Sequence, residues 1–235
     1  ERGNTAQYEG YAGFRERQQH QGIAQVLRDD GTNPGTVQPR LEETINRIPA
    51  SLQWAIEDTR VPQDNGSNIA ERIIKGNGRC VSDGSVKDQL GTAAACFMDV
   101  NKENGYIVQN RTPGSDDDIH SYRSELCGIL PNVLMINAIA QVHDIQDGTV
   151  TLGCDNESAL WAVFGQGDIN AGDPSFEMVK IIRYHVENSP ITWKGIHVKG
   201  HQDDDKEAIL DDWALANIAM DKEAENYWNR QYGGG

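Results

Sequence analysis

RCVSDGS (79–85) and TAAACFMDV (92–100) are two short apolar runs with a turn around Lys87–Gly91 between them. A third run, NGYIVQNRT (104–112), opens on Asn104-Gly105, a dipeptide that favours hairpins. Three strands joined so closely must run antiparallel. Beyond the polar PGSDDD (113–118), apolar residues recur at helical spacing from Ser121: Leu126, Ile129, Leu130, Val133, Leu134, Ile136 and Ile139. Pro131 lies inside that pattern and predicts a kink or a later start. TVTLGCDN (149–156) reads as a fourth strand, and ITWKGIHV (191–198) as a fifth. SALWAVFG (158–165), PSFEMVKIIRYHVEN (174–188) and LDDWALANIAMDKEAENYW (210–228) read as helices, the last with Leu215, Ile218 and Ala219 inward. A meander followed by alternating helix and strand specifies an α/β fold. Its sheet should be mixed and five-stranded, three antiparallel strands and then parallel ones, flanked by helices.

Upstream, residues 1–40 are polar and aperiodic, and are expected to form a partly disordered arm or linker with a short helix around Gly22–Arg28. Residues 41–77 suggest a short helical extension. Leu41, Ile45 and Ile48 mark one piece, Leu52 and Ile56 a second after Pro49, and Asn68 caps a third that Gly76 and Gly78 stop. The main domain then spans 78–230, and 231–235 is a flexible tail. Neither an apolar stretch of membrane-spanning length nor a basic-then-apolar leader stands out, so an intracellular location, cytoplasmic or nuclear, is expected. Cys80, Cys96, Cys127 and Cys154 lie far apart inside apolar runs and read as reduced core thiols. The formal net charge of -15 leaves no basic face by count. Contact with a polyanion would then need a small site, bound divalent cations and a partner supplying positive charge.

Two of the strands end in a carboxylate, Asp83 and Asp155. If the first and fourth strands are parallel neighbours, both acids emerge at one edge of the sheet, where open α/β sheets place ligands. Glu125 lies about one turn inside the helix from Ser121 and can point there too. Each residue has a plainer reading alone: Asp83 before Gly84 forms turns, and a helix glutamate is usually solvated. Together they would repel one another unless a hard divalent cation neutralised them, and all-oxygen ligation selects magnesium or manganese. His197 and His201 have the i, i+4 spacing of a zinc pair on a helix, but His197 falls in a strand pattern.

VSDGS (81–85), SYRSEL (121–126), LGCDN (152–156), HVKGHQDD (197–204) and LANIAMDKEA (215–224) stand in an order that resembles the type 1 ribonuclease H family. From RIPASLQWAIEDT (47–59) onward the chain is also similar to the ribonuclease H-like domains that follow reverse transcriptases in retroelements, over about residues 45–230. The resemblance implies a ribonuclease H-like fold and a nuclease that hydrolyses the RNA strand of RNA/DNA hybrids with two Mg2+ ions, Mn2+ substituting. Asp83, Glu125 and Asp155 would be metal ligands, and His201, on a mobile loop, would help departure of the product or protonate the leaving oxygen. Asp221 would be the fourth carboxylate, with Asp211 and Asp212 as alternatives nearer His201. Ser121, Tyr122, Arg123 and Ser124 would hold a phosphate or ribose, Gly84 and Ser85 would let the scissile backbone approach, and Asn156 would assist. In the family's well-known bacterial members a basic helix and loop follow the position of Asp155. Here FGQGDINAGD (164–173) is acidic, which points to a reverse transcriptase domain or subunit as partner.

Other readings remain open on sequence grounds: another nuclease of the same fold, a non-catalytic scaffold, or an acidic domain that binds basic proteins. Asp83-Gly84-Ser85 followed by Glu125 on the first long helix argues against transposases, integrases and proofreading exonucleases, which arrange their acids differently.

Overall fold

The computed structural model describes residues 39–200, 202 and 209–233, together with the short strand Gln7–Tyr8. That strand is β1; α1 (Leu41–Asn46), a 3-10 helix (Ala50–Ile56), β2 (Asp58–Arg60) and α2 (Ser67–Ile74) follow. The succeeding elements are β3 (Gly78–Lys87), β4 (Leu90–Phe97), β5 (Ile107–Arg111), α3 (Ser121–Val142), β6 (Thr149–Cys154), α4 (Glu157–Phe164), α5 (Phe176–Glu187), β7 (Thr192–His197) and α6 (Asp212–Tyr232). They build one mixed sheet in the order β1-β7-β6-β3-β4-β5-β2. The five expected strands form its middle, antiparallel across β3, β4 and β5 and parallel across β3, β6 and β7. The sheet is larger than expected because a short antiparallel strand is added at each edge, β1 on β7 and β2 on β5. The proposed helix at 22–28 lies outside the described residues.

Residues 41–77 are not a separate extension. Leu41, Ile45, Leu52, Ile56, Ile69 and Ile73 are buried in the same core as α3, and β2 completes the sheet. Helix α2 starts at Ser67 with Gly66 at its N-cap, so Asn68 lies inside the helix and does not cap it. The Asp64 carboxylate accepts from the amides of Gly66 and Asn68 at 3.0 and 2.9 Å. Of the two turn expectations, the one around Lys87–Gly91 holds and the one at Asn104-Gly105 does not. Asn104-Gly105 sits in a longer connection, 98–106, whereas Asp88 and Gln89 form the tight β3–β4 turn with φ of 52° and 59°. Positive φ at both central residues matches the right-handed twist of the flanking strands.

Helix α3 lies across one sheet face with α4 and α5 beside it, and α6 covers the other. By length and composition α3 is apolar enough to cross a membrane, contrary to the expectation that no such stretch exists. Because 89% of that window is buried, its apolarity is that of a core helix. The helix runs through Pro131 without interruption. Proline cannot donate to the carbonyl one turn back, Cys127 O, so that oxygen must find another donor. Asn110 Nδ2 supplies it at 2.9 Å and gives its second hydrogen to Ala55 O, also at 2.9 Å. Helix α6 turns differently from its apolar pattern. Ala214, Asn217, Ile218, Met220 and Ala224 are buried, while Leu215 is 53% exposed and Ala219 is also exposed. The sheet beneath it is lined by Ala94 and Val81 and by the Asp83 carboxylate. Small and amide side chains suit that surface better than leucine.

Candidate metal centre

The parallel ladder between β3 and β6 ends at the pair Val81–Gly153. Asp83 and Asp155 each lie two residues further on, so register alone sets them side by side where the two strands part. Asp83 continues the ladder with β4, opposite Ala94, and its side chain is turned toward α6. There Asn217 Nδ2 donates to Asp83 Oδ1 at 3.1 Å. Asp221 follows Asn217 by one turn, on the same face of α6. Burial first, and then the charges of Asp155 and Asp221, push the Asp83 carboxyl up to about 8.

Glu125 reaches the same cleft from α3. Its Oε1 accepts the Gly84 amide hydrogen at 3.1 Å, and Cys154 Sγ donates to its Oε2 at 3.4 Å. Burial, with Asp83 and Asp155 as further causes, raises its carboxyl well above the usual range. This approach of helix to strand depends on Gly84. A Cβ there would lie 2.6 Å from both Glu125 N and Ser124 C, backbone atoms that have no room to withdraw. The glycine expected to admit a substrate backbone admits the protein's own helix instead. Asp155 is half-buried at the end of β6, and Gly200 packs so closely that a Cβ on it would meet Asp155 Oδ2 at 2.5 Å.

The ligand atoms of Glu125, Cys154 and Asp155 lie within 4.8 Å of one another, a separation that can hold a metal ion. Asp83 and Asp221 act on the same group of charges. Buried, mutually repelling carboxylates are a costly arrangement that a divalent cation relieves, and their oxygens suit a hard one. Cys154 is kept a neutral thiol by burial and by Glu125, so it serves Glu125 as a donor. Read from sequence, Cys154 was a core thiol and Asn217 part of a helical pattern. The structure makes both neighbours of the acids.

The remaining expected residues divide between this edge and the interior. Ser121 is exposed at the start of α3, and Ser85 is half-buried on the face of β3 that carries Asp83. Tyr122 is half-buried and its hydroxyl donates to Asp173 Oδ2 at 2.7 Å. Asn156 caps α4 through Ala159 N at 3.0 Å. Arg123 and Ser124 are buried and bonded internally, so neither presents a group to a ligand. Arg123 binds Pro113 O at 2.7 Å and Glu177 at 2.8 Å, bracing the start of α3 against the start of α5. Ser124 Oγ pairs with Thr112 Oγ1 at 2.8 Å. The cap of α3 is His120, unforeseen because histidine is uncommon in that role; its Nδ1 accepts from Arg123 N at 3.2 Å.

Of the alternative fourth carboxylates, Asp211 caps α6 through Ala214 N at 2.8 Å, and Asp212 pairs with Arg79 at 3.3 Å. Both serve the helix start, whereas Asp221 acts on Asp83. His197 Nε2 lies 2.9 Å from Asp155 O, on a strand, and not in the helical pair that zinc would need. His201 lies outside the described residues. In comparison with known proteins, no family model matches the chain and neither does any curated sequence.

Proposed function

We propose that this protein is a metal-dependent endonuclease that hydrolyses the RNA strand of RNA/DNA hybrids, built on a ribonuclease H-like fold. The observation that carries the reading is the gathering of Asp83, Glu125, Asp155 and Asp221 where two parallel strands part. The order of the sheet, with α3 and α6 on opposite faces, supports the same fold. In this reading the four carboxylates hold two Mg2+ ions, with Mn2+ as substitute. Bound ions supply activation of the attacking water and stabilisation of the departing 3′ oxygen.

The chain's own groups do the rest. The Gly84 amide and the Cys154 thiol fix the two oxygens of Glu125, and Asn217 fixes Asp83. Such preorganisation keeps the ligand oxygens in place before substrate arrives. His201, between β7 and α6, is the residue we assign to protonating the departing oxygen. Ser121 and Ser85 are the exposed or half-exposed hydroxyls beside the edge and are assigned to the 2′-hydroxyl and phosphates, the features by which RNA is distinguished. With a net charge of -15, firm hold on a hybrid comes from an attached cationic partner, for which a reverse transcriptase of a retroelement is our assignment.

The test is cleavage of a labelled RNA strand offered as hybrid, single strand or RNA duplex, with labelled duplex DNA alongside, in magnesium or manganese at low salt. Cutting of hybrid RNA alone, lost in Asp83→Asn and Asp155→Asn, is expected. Absence of cutting with either metal, or cutting that survives both substitutions, would overturn the nuclease reading and leave a binding or scaffold role.

A further inference from the structure

A groove of about 600 Å3 opens beside Asn156, between α4, the segment 165–173 and α5. Its apolar part includes Ile169 and Trp161, whose side chain is 52% exposed. Leaving an indole in water forfeits a large burial, and none of the described residues covers it. The main chain that follows α4 passes along one side of it: Gly165 N donates to the Trp161 carbonyl at 2.8 Å, and a Cβ on Gly167 would lie 3.3 Å from the far edge of the ring. One edge of the indole is therefore backed by the glycine-containing loop while much of the ring stays open.

The charged groups around it are mostly acidic: among the described residues Glu157, Asp168 and Asp173 line the groove against one cation, Arg183, with neutral polar groups such as Asn156 and Asn170 between them. That guanidinium is committed to the wall itself, donating to Ala162 O and Gly167 O, both at 2.6 Å. Its charge is thus spent in tying α5 to α4 and the loop. Asp173 is also engaged, by Tyr122 and by the Ser175 amide. Asp168 is exposed and is the carboxylate best placed to meet an incoming group. An electron-rich indole face beside carboxylates attracts a cation and repels phosphate.

From this juxtaposition we infer that the groove docks an arginine-bearing extended segment of a protein partner, with a guanidinium over Trp161 and paired to Asp168. Arginine is favoured over lysine because its planar head stacks on an aromatic ring while its edge still pairs with a carboxylate. Charge complementarity selects a basic polypeptide over nucleic acid, since phosphates brought here would meet three carboxylates and, among the described residues, no uncommitted cation. The inference concerns binding alone and stands whether or not the sheet edge is a nuclease site. Where it does bear on the nuclease reading, it says by which surface a cationic partner is held next to Asp155.

The experiment is fluorescence anisotropy of a labelled short peptide with arginine at alternate positions, beside its citrulline counterpart, at low salt. The full chain is compared with Trp161→Ala, Asp168→Asn and, as a change of equal charge far from the groove, Asp147→Asn. Loss of a cation–π contact or its paired carboxylate weakens binding about three- to thirty-fold, so that drop is expected in Trp161→Ala and Asp168→Asn. Asp147→Asn should bind within about two-fold of the parent, as expected where only long-range charge changes, and the citrulline peptide should bind far more weakly. Equal weakening by Asp147→Asn and Asp168→Asn would mean diffuse attraction to an acidic protein and would overturn the proposal. So would equal binding of the citrulline peptide, or capture of single-stranded DNA that Trp161→Ala abolishes, which would give the groove to nucleic acid. Because this readout uses no metal and no cleavage, it fails or succeeds separately from the nuclease reading.

Discussion

Gly84→Ala is the smallest change that tests how the site is assembled. The added methyl would sit 2.6 Å from Glu125 N and from Ser124 C, about an ångström inside ordinary contact. Backbone cannot swing aside like the end of a side chain, so the first turn of α3 must lift from β3. Overpacking of that kind costs about 1–3 kcal/mol. Lifting the helix also stretches the bond from the Gly84 amide to Glu125 Oε1, 3.1 Å in the native protein, and a bond to a carboxylate is worth about 1.5–3 kcal/mol. Since relaxation recovers part of both, we expect a net loss of about 2–4 kcal/mol. With a urea dependence of about 2–3 kcal/mol/M, the unfolding midpoint should fall by about 1 M. Gly172→Ala, on an exposed turn with only Asn170 Oδ1 at 3.4 Å, is the control and should stay within about 0.5 kcal/mol of the parent. Urea unfolding followed by circular dichroism measures both, and divalent-ion titration of the folded fraction of Gly84→Ala should show weaker binding as Glu125 shifts. A Gly84→Ala protein matching Gly172→Ala in midpoint and in metal affinity would refute the claim that this glycine seats the helix.

The Asp83 carboxyl titrates near 8 in the folded protein and near 3.9 when unfolded, so between those values the folded state binds more protons and stability falls as pH rises. Thermal melts of the metal-free protein should therefore drop from pH 5 to pH 8, and Asp83→Asn should flatten that slope; a melting temperature that climbs over the same range would contradict the burial of the acids. Asp221→Asn should weaken divalent-ion binding, whereas Asp211→Ala should cost about 1 kcal/mol of helix cap and leave metal affinity unchanged, as calorimetry can decide. Asn110→Ala should cost about 2–4 kcal/mol by stripping Cys127 O and Ala55 O of their donor. In a Pro131→Ala background, where residue 131 regains its own amide, the Asn110→Ala penalty should shrink. Strictly additive penalties in that double-mutant cycle would show that the two residues do not share the Cys127 carbonyl.

The five central strands were legible because each is a short apolar run with a polar break, and Asp83 and Asp155 announced themselves by closing two such runs. Parallel pairing then sets the two acids together with no further information. What escaped was whatever depends on a neighbour distant in sequence. Gly84 next to an acid looks like room for a ligand until the start of α3 is found resting on it. Arg123 and Ser124 carry groups typical of a binding surface, and only the packing of the 113 loop and the start of α5 reveals them as braces. Leu215 and Ala219 were assigned inward by apolarity alone, whereas the surface beneath α6 presents Asp83 and therefore calls for Asn217. The turn expected around Lys87–Gly91 is the tight one, whereas Asn104-Gly105 falls in a longer connection because strand register, which local dipeptides do not encode, decides where a hairpin closes.

Among the described residues, both borders of the sheet are formed by strands of two and three residues, Gln7–Tyr8 and Asp58–Arg60. A border that short offers another chain little ladder to extend, and each covers part of the longer strand beside it, β1 on Gly195 and Ile196 and β2 on Ile107–Gln109. The border on β5 is supplied from upstream of Gly78, where a dissection guided by motifs would begin. A fragment cut there would uncover Ile107–Arg111 as an open template and would be expected to precipitate during purification. Its failure would then be a matter of colloidal behaviour, with every acid of the candidate metal centre still in the chain.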